Sequence, residues 1–229
     1  MANYLVTGAN RGLGLEFVRQ LIARGDSVVA CCREPERSSE LKAIGGERLM
    51  IHALDVSDPA AIAALPAHLA GAGVDVLINN AGVAEADEAF GAFDAATMAN
   101  VLHVNSIAPM LVTQALTPLL EKSGAQAKVV YITSGLGSIA RAEGLMFGLS
   151  YGMSKAALNM GGKKLAAELT GRGIASVLLH PGWVQTDMGT SAAPLQPPES
   201  IRGMLQVIDK LSVADGLRFV SYEGEPLPW

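Results

Sequence analysis

The chain reads as a single α/β domain of the doubly wound kind, a parallel seven-stranded sheet with helices on both faces. Three observations predict it. Apolar, β-branched runs alternate with amphipathic helical patterns through most of the 229 residues, the order that βαβ crossovers impose. Runs such as Val74-Asp-Val-Leu-Ile78 are almost continuously apolar, as strands covered on both faces are. A glycine-rich turn, Thr7-Gly-Ala-Asn-Arg-Gly-Leu-Gly14, joins the first strand pattern to the first helical one.

Taken in order, Asn3–Val6 opens the sheet, and the glycine turn leads into a helix over Gly14–Arg24. Ser27–Cys32 is the second strand. Its adjacent cysteines, Cys31 and Cys32, point to opposite faces, so they form no disulfide and read as buried, reduced thiols. An amphipathic stretch over Arg37–Ala43 precedes the third strand, Leu49–Ala53. Ser57 or Asp58 then caps a helix over Pro59–Leu69. Val74–Asn79 is the fourth strand, and Thr97–Leu120 a long apolar helix with Asn105 inside it. Lys128–Ser134, a helix over Tyr151–Leu169, and Ala175–His180 follow. The Pro/Ser/Ala-rich stretch Gly189–Ser200 reads as part of a mobile substrate loop over about 187–200, before a helix at Glu199–Leu211 and a last strand at Arg218–Val220.

Composition narrows the function classes. Half the residues are hydrophobic and 17% are charged, enough for a large core in one domain. A net charge of −5 and a pI near 5.4 argue against nucleic acid or an anionic membrane as partner. Aromatics at 5% disfavour a base-stacking platform. No cysteine or histidine spacing matches a zinc site, and the four histidines, His52, His68, His103 and His180, form no nucleophilic triad. No charged leader precedes an apolar segment, and no apolar stretch approaches the length of a membrane span. The expectation is a soluble cytoplasmic protein.

The chemistry concentrates at two places. Tyr151 and Lys155 stand four apart in Tyr151-Gly-Met-Ser-Lys155, so on a helix they share a face. A neighbouring cation is expected to lower the phenol from its usual value of about 10, letting it exchange a proton with an alcohol or carbonyl oxygen. The glycine turn, with Gly8, Gly12 and Gly14 between strand and helix, supplies the close backbone approach and helix N-terminus that hold a dinucleotide pyrophosphate. No acidic residue ends the second strand to hold a ribose 2′-hydroxyl. Arg33 stands there instead, with Arg11 in the turn, and two guanidiniums suit a 2′-phosphate, favouring NADP(H) over NAD(H). A solvated Arg33 paired with Glu34 or Glu36 is the competing account.

Around these, Asp55 suits the adenine amino group, and Asn79-Asn-Ala-Gly82 permits close approach and can tie neighbouring strands together. Ser134 ends the fifth strand, on the side where open sheets bind ligands, and is assigned as the donor to a carbonyl oxygen. Ser138 is its rival. Asn105 needs a polar partner within its helix: either a water leading towards Lys155, or only the kinked backbone near Pro109. Pro181-Gly-Trp-Val-Gln-Thr186 brings backbone groups and Thr186 towards a nicotinamide, or serves only as a tight connection.

In order and combined spacing, Thr7–Gly14, Asp55, Asn79–Gly82, Asn105, Ser134, Tyr151-x3-Lys155 and Pro181-Gly182 resemble the short-chain dehydrogenase/reductases over essentially the whole chain. Cys32-Arg33-Glu-Pro35, His180-Pro-Gly-Trp-Val-Gln-Thr-Asp-Met188 and Pro226-Leu-Pro-Trp229 are similar to the C-factor/Sniffer-type carbonyl reductase branch. The resemblance implies a Rossmann-type sheet and a catalytic tetrad of Asn105, Ser134, Tyr151 and Lys155. It also implies a cofactor site of Gly8, Asn10, Arg11, Gly12, Leu13, Gly14, Arg33, Asp55, Val56, Asn79, Ala81, Gly82, Tyr151, Lys155, Pro181, Gly182, Val184 and Thr186. It implies a homodimer or homotetramer with Thr97–Leu120 and Tyr151–Leu169 between subunits. One departure stands out: the family keeps about thirteen residues between serine and tyrosine, the spacing of Ser138, whereas Ser134 lies seventeen before Tyr151.

The function expected is an NADPH-preferring carbonyl reductase or alcohol dehydrogenase acting on an uncharged, hydrophobic small molecule, its pocket shaped by Gly189–Ser200, Arg141–Leu149 and Glu85–Phe93. The alternative is an NADP(H)-binding signalling protein of C-factor type with little turnover. A Rossmann-type methyltransferase would leave the tyrosine–lysine pair without a role.

Overall fold

A computed structural model of the chain describes residues 1–69, 73–84, 89–144 and 148–229. Seven strands, β1 (Asn3–Thr7), β2 (Ser27–Cys32), β3 (Leu49–Ala53), β4 (Val76–Asn79), β5 (Lys128–Ile132), β6 (Ala175–His180) and β7 (Arg218–Ser221), form one sheet in the order β3-β2-β1-β4-β5-β6-β7. Every neighbouring pair is parallel. The strand order reverses between β1 and β4, so a crevice opens at their C-terminal ends.

Side chains alternate across this sheet because successive residues of a strand face opposite ways. Tyr4 and Val6 of β1 join one hydrophobic cluster, and Leu5 joins the other. Val130 and Ile132 part in the same way from Val129 and Tyr131 in β5. On the first face lie α1 (Gly12–Ala23), α2 (Ser39–Ile44) and α7 (Pro197–Lys210), which bury Phe17, Leu41 and Ile208. On the second lie α3 (Pro59–His68), α5 (Ala108–Leu120) and α6 (Leu149–Gly171), which bury Leu65, Leu116 and Leu158. Each such fully buried side chain contributes about 1.5–3 kcal/mol. Asp58, one of the two expected caps, accepts from the Ala60 amide at the start of α3.

Two expectations need correction. The helix expected as one piece over Thr97–Leu120 is α4 (Ala95–Leu102), a single π-turn (His103–Ile107) and α5. Pro109 lies four residues beyond Asn105 and has no N–H to give its carbonyl, so regular α-pairing fails there. The combined run Ala95–Gly124 also reaches the length and apolarity of a membrane span, with a mean hydropathy of 1.2, where none was expected. Val101, Val112, Leu116 and Leu120 are buried along it, as in the core helix of a two-layered sheet. Of the stretches expected to shape a pocket, residues 85–88 and 145–147 lie outside the described residues. Residues 197–200, read as loop, form the first turn of α7.

Candidate active site

The first wall of the crevice is the glycine turn. Gly8 takes a φ of 66° that favours glycine. A Cβ on Gly14 would lie 2.2 Å from the Gly8 carbonyl oxygen, so only glycine lets α1 start this close to β1. The turn is pinned to β4: the Thr7 hydroxyl accepts from the Asn80 and Ala81 amides at 3.0 Å each, and Asn80 Nδ2 donates to the Thr7 carbonyl at 2.9 Å. Asn80 thus provides the strand tie expected of the asparagine pair. Asn79 does not share it, because its Nδ2 turns inward to the Thr113 hydroxyl at 3.2 Å. Its side chain is therefore withdrawn from the crevice.

The N-terminus of α1 carries neither an acidic residue in its first turn nor a side-chain cap. Its leading N–H groups and positive dipole end suit a phosphate. Asn10 and Arg11 are exposed beside it, and Leu13 is partly buried. Arg11 meets Asp187 at 3.4 Å, a pair too exposed to contribute much stability. Thr186 comes within van der Waals reach of Gly12, and its hydroxyl accepts from the Gly189 amide at 3.1 Å. Val184 bridges to Leu195 and closes the segment after Pro181-Gly182 into a loop.

At the end of the crevice expected to take an adenine, Asp55 accepts from the Ser57 amide and hydroxyl at 2.8 and 2.7 Å. Those bonds and the Arg33 charge outweigh partial burial, holding its carboxyl below the usual range. Val56 is buried beside it. Glu34 and Glu36, the partners offered for Arg33, are engaged instead by Arg37 at 3.2 Å and Lys42 at 2.7 Å. Among the described residues Arg33 makes no ion pair, and it is exposed.

The second wall holds the residues expected to carry the proton chemistry. β5 ends at Ile132, and Ser134 follows in extended backbone as cap of a short 3₁₀ turn, Gly135–Gly137, its oxygen accepting from the Leu136 amide at 3.1 Å. The same hydroxyl lies close enough to the Tyr151 phenol to oppose the effect of burial on it. Ser138 is buried and turns away to the Trp229 carbonyl at 3.4 Å. Lys155 Nζ donates to the Ile132 carbonyl at 2.9 Å and lies 5.6 Å from the Tyr151 ring centre. A Cβ on Gly82 would meet Asn105 Oδ1 at 3.3 Å and Lys155 Nζ at 3.7 Å, so both groups lie beside this glycine. The Asn105 amide is fully occupied: it accepts from the Val83 amide, and donates to the Val83 carbonyl and to Ser154 Oγ, which in turn donates to the Tyr151 carbonyl. The structure thus gathers Asn105, Ser134, Tyr151 and Lys155 at one place.

The expected sign of the phenol shift is wrong here. Burial pushes Tyr151 up to about 12 against the opposing Ser134 hydrogen bond, and burial also draws Lys155 down to about 8. Proximity to a cation is outweighed because both groups leave water together. Two further residues escaped the sequence reading. Buried Asn159 accepts from the Thr133 hydroxyl at 2.6 Å and donates to the Gly137 carbonyl at 3.1 Å, holding the Ser134 turn to α6. It stands four residues beyond Lys155, so the spacing that singled out Tyr151 also points to it. His180, at the end of β6 beside Gly135, is lowered by burial and by Arg141 to about 4 and stays neutral.

A family model described as short chain dehydrogenase matches residues 2–196. The chain is a short-chain dehydrogenase. Among solved structures, this short-chain dehydrogenase is similar to an NADPH-bound carbonyl reductase from chicken fatty liver, at 39% identity and a TM-score of 0.91 over 100% of this chain and 99% of that one. It is similar to the carbonyl reductase Sniffer of D. melanogaster, at 34% identity and a TM-score of 0.94 over 100% of both chains. Among curated relatives, C-signal of Myxococcus xanthus is 47% identical over 157 residues, covering 68% of this chain and 93% of that protein. The parallel seven-stranded sheet, the single domain and the Sniffer-type likeness agree with the sequence reading, and the chain is an oxidoreductase of this family.

Proposed function

We propose that this short-chain dehydrogenase is an NADPH-preferring carbonyl reductase or alcohol dehydrogenase. The observation that carries the proposal is the buried Tyr151 phenol, placed beside Ser134 and the Lys155 ammonium. A phenol held up to about 12 keeps its proton at neutral pH, the form a carbonyl oxygen needs as it becomes an alcohol. Ser134 polarises that oxygen from the same side. Lys155, tied to Ile132, places positive charge near the phenolate left behind. Asn105 anchors the start of α6 through Ser154, and its proposed part in the tetrad is to fix that geometry.

When bound, a nicotinamide supplies the hydride. Gly8, Gly12, Gly14 and the uncapped start of α1 would hold its pyrophosphate. Asp55 and Val56 would meet the adenine, and Ala81, Gly82, Pro181, Gly182, Val184 and Thr186 the nicotinamide half. Preference for NADPH is supported by the exposed Arg33, whose sequence neighbours Glu34 and Glu36 are paired with Arg37 and Lys42 instead. The bound NADPH named for the chicken relative favours the same choice. A small, uncharged, hydrophobic substrate fits the apolar Leu136, Trp183 and Met188, all exposed on the loops after β5 and β6. A homodimer or homotetramer is supported by exposed Ile107, Met153 and Met160 on the helices after β4 and β5. A cytoplasmic location goes with two free, buried cysteines.

The likeness to C-signal keeps a signalling protein as the second reading. Steady-state NADPH oxidation against a panel of aldehydes and ketones decides between the two. Turnover with any member supports the reductase; tight NADPH binding with none consumed supports the sensor.

A further inference from the structure

Beyond β7 the chain folds back on itself and ends up beside the serine turn. Leu227 donates to the Phe219 carbonyl at 2.8 Å, and Ser221 to the Glu225 carbonyl at 2.8 Å, so residues 225–227 run back along β7. Trp229 is then held from two sides. Its ring lies 5.8 Å from Phe219 of β7, and Lys163 Nζ of α6 sits 5.5 Å from its centre. Its carbonyl oxygen accepts from the Ala140 amide at 2.9 Å and from the buried Ser138 hydroxyl at 3.4 Å.

Those two acceptor contacts fall on the segment that carries Ser134. Gly137 presses on the backbone of Lys155, where an added Cβ would stand 2.8 Å from the lysine carbonyl carbon. Asn159 holds the Gly137 carbonyl. Residues 134–140 are therefore tied to α6 at one end by Asn159 and at the other by Trp229. Ser138 matches the family's serine spacing, yet here it serves this attachment.

We propose that Trp229 is a positioning residue for the reaction: by holding Ser138 and Ala140 it keeps Ser134 against the Tyr151 phenol. This rests on the reductase reading. It acts through the loop and touches neither reacting group.

The test compares the full-length wild type with Trp229→Ala and Trp229→Phe, using NADPH with 4-nitrobenzaldehyde, and follows amide hydrogen exchange over residues 134–140. For Trp229→Ala the expected result is a kcat lower by about tenfold or more, as displaced catalytic groups give, with the Kd for NADPH within about twofold. Exchange over 134–140 should quicken. Trp229→Phe, which keeps a ring against Phe219 and the backbone carbonyl, should restore both. A kcat close to wild type, or unaltered exchange, overturns the proposal whatever happens to the melting temperature. Should Trp229→Ala fail to fold, Lys163→Ala and Ser138→Ala decide. Severalfold losses of kcat with quicker exchange support the role, and wild-type behaviour in both removes it. A wild type that leaves NADPH unoxidised with 4-nitrobenzaldehyde and with every other member of the aldehyde and ketone panel would defeat the reductase reading instead, and the exchange arm alone would then show whether the tail holds the loop.

Discussion

Lys155 donates to the Ile132 carbonyl at 2.9 Å, tying the middle of α6 to the last residue of β5. Tyr151 stands one helical turn earlier and Ser134 two residues beyond the same carbonyl. One hydrogen bond therefore sets the separation of the groups proposed to handle the substrate oxygen.

Removing the phenol oxygen tests the centre of that arrangement. Tyr151→Phe is expected to lower kcat by about 10²–10⁴-fold while the Kd for NADPH stays within about twofold. Single-turnover NADPH oxidation and a fluorescence titration give the two numbers. Retained turnover would take Tyr151 out of its role.

The two serines separate by the size of their effects. Ser134→Ala removes the hydroxyl beside the phenol and is expected to reduce kcat about 10²-fold. Ser138→Ala loosens only a contact to Trp229 and should cost severalfold. The reverse order, read from kcat on one aldehyde, would reassign the serine.

The buried ammonium makes a statement about pH. Folded Lys155 titrates near about 8 against an ordinary 10.5. Between those values the unfolded chain keeps a proton that the folded chain has released, so stability rises with pH across the window. The full desolvation cost is present below about 8. Relative to Lys155→Met, the wild type should gain roughly 2 kcal/mol from pH 7 to pH 10. Urea midpoints of the nucleotide-free proteins measure it; parallel profiles would mean that the ammonium is well solvated.

Arg33 is the residue proposed to set the choice of coenzyme. Arg33→Ala is expected to weaken NADPH roughly tenfold or more, the size of a lost charge-assisted phosphate contact, and to leave NADH within about twofold. Isothermal titration with each coenzyme checks this. Equal losses for both would place Arg33 away from the 2′-phosphate.

Asn159 answers to stability as well as to rate. Asn159→Leu strands the Thr133 hydroxyl and the Gly137 carbonyl in the interior. It should lower stability by about 1–3 kcal/mol per stranded group. Denaturant unfolding reads the loss, and an unchanged midpoint would show that other partners take over.

Much of this molecule was legible because its signals are local. Apolar runs set all seven strands to within two residues at either end, since strands covered on both faces must be apolar throughout. The i, i+4 spacing gave Tyr151 and Lys155, and the turn glycines marked the mouth of the crevice. What stayed hidden depends on distant parts of the chain. Spacing shows that two groups are near each other but says nothing of the water they lose, so the sign of the phenol shift was missed. Apolar periodicity does not register a change of helical pitch, which hid the π-turn at Asn105. The hold of Trp229 on Ala140 joins residues far apart in sequence, and no local pattern announces it.

The π-turn at 103–107 has a genetic corollary. Such a turn holds one residue more than the α-helix it interrupts. Losing a single codon there would close the widened turn and restore regular pitch, the two flanks keeping much the same faces. Asn105, held inside that turn, would lose the backbone setting from which it meets Val83 and Ser154. Along this stretch the chain is protected less against exchange of one amino acid for another than against a change in their number.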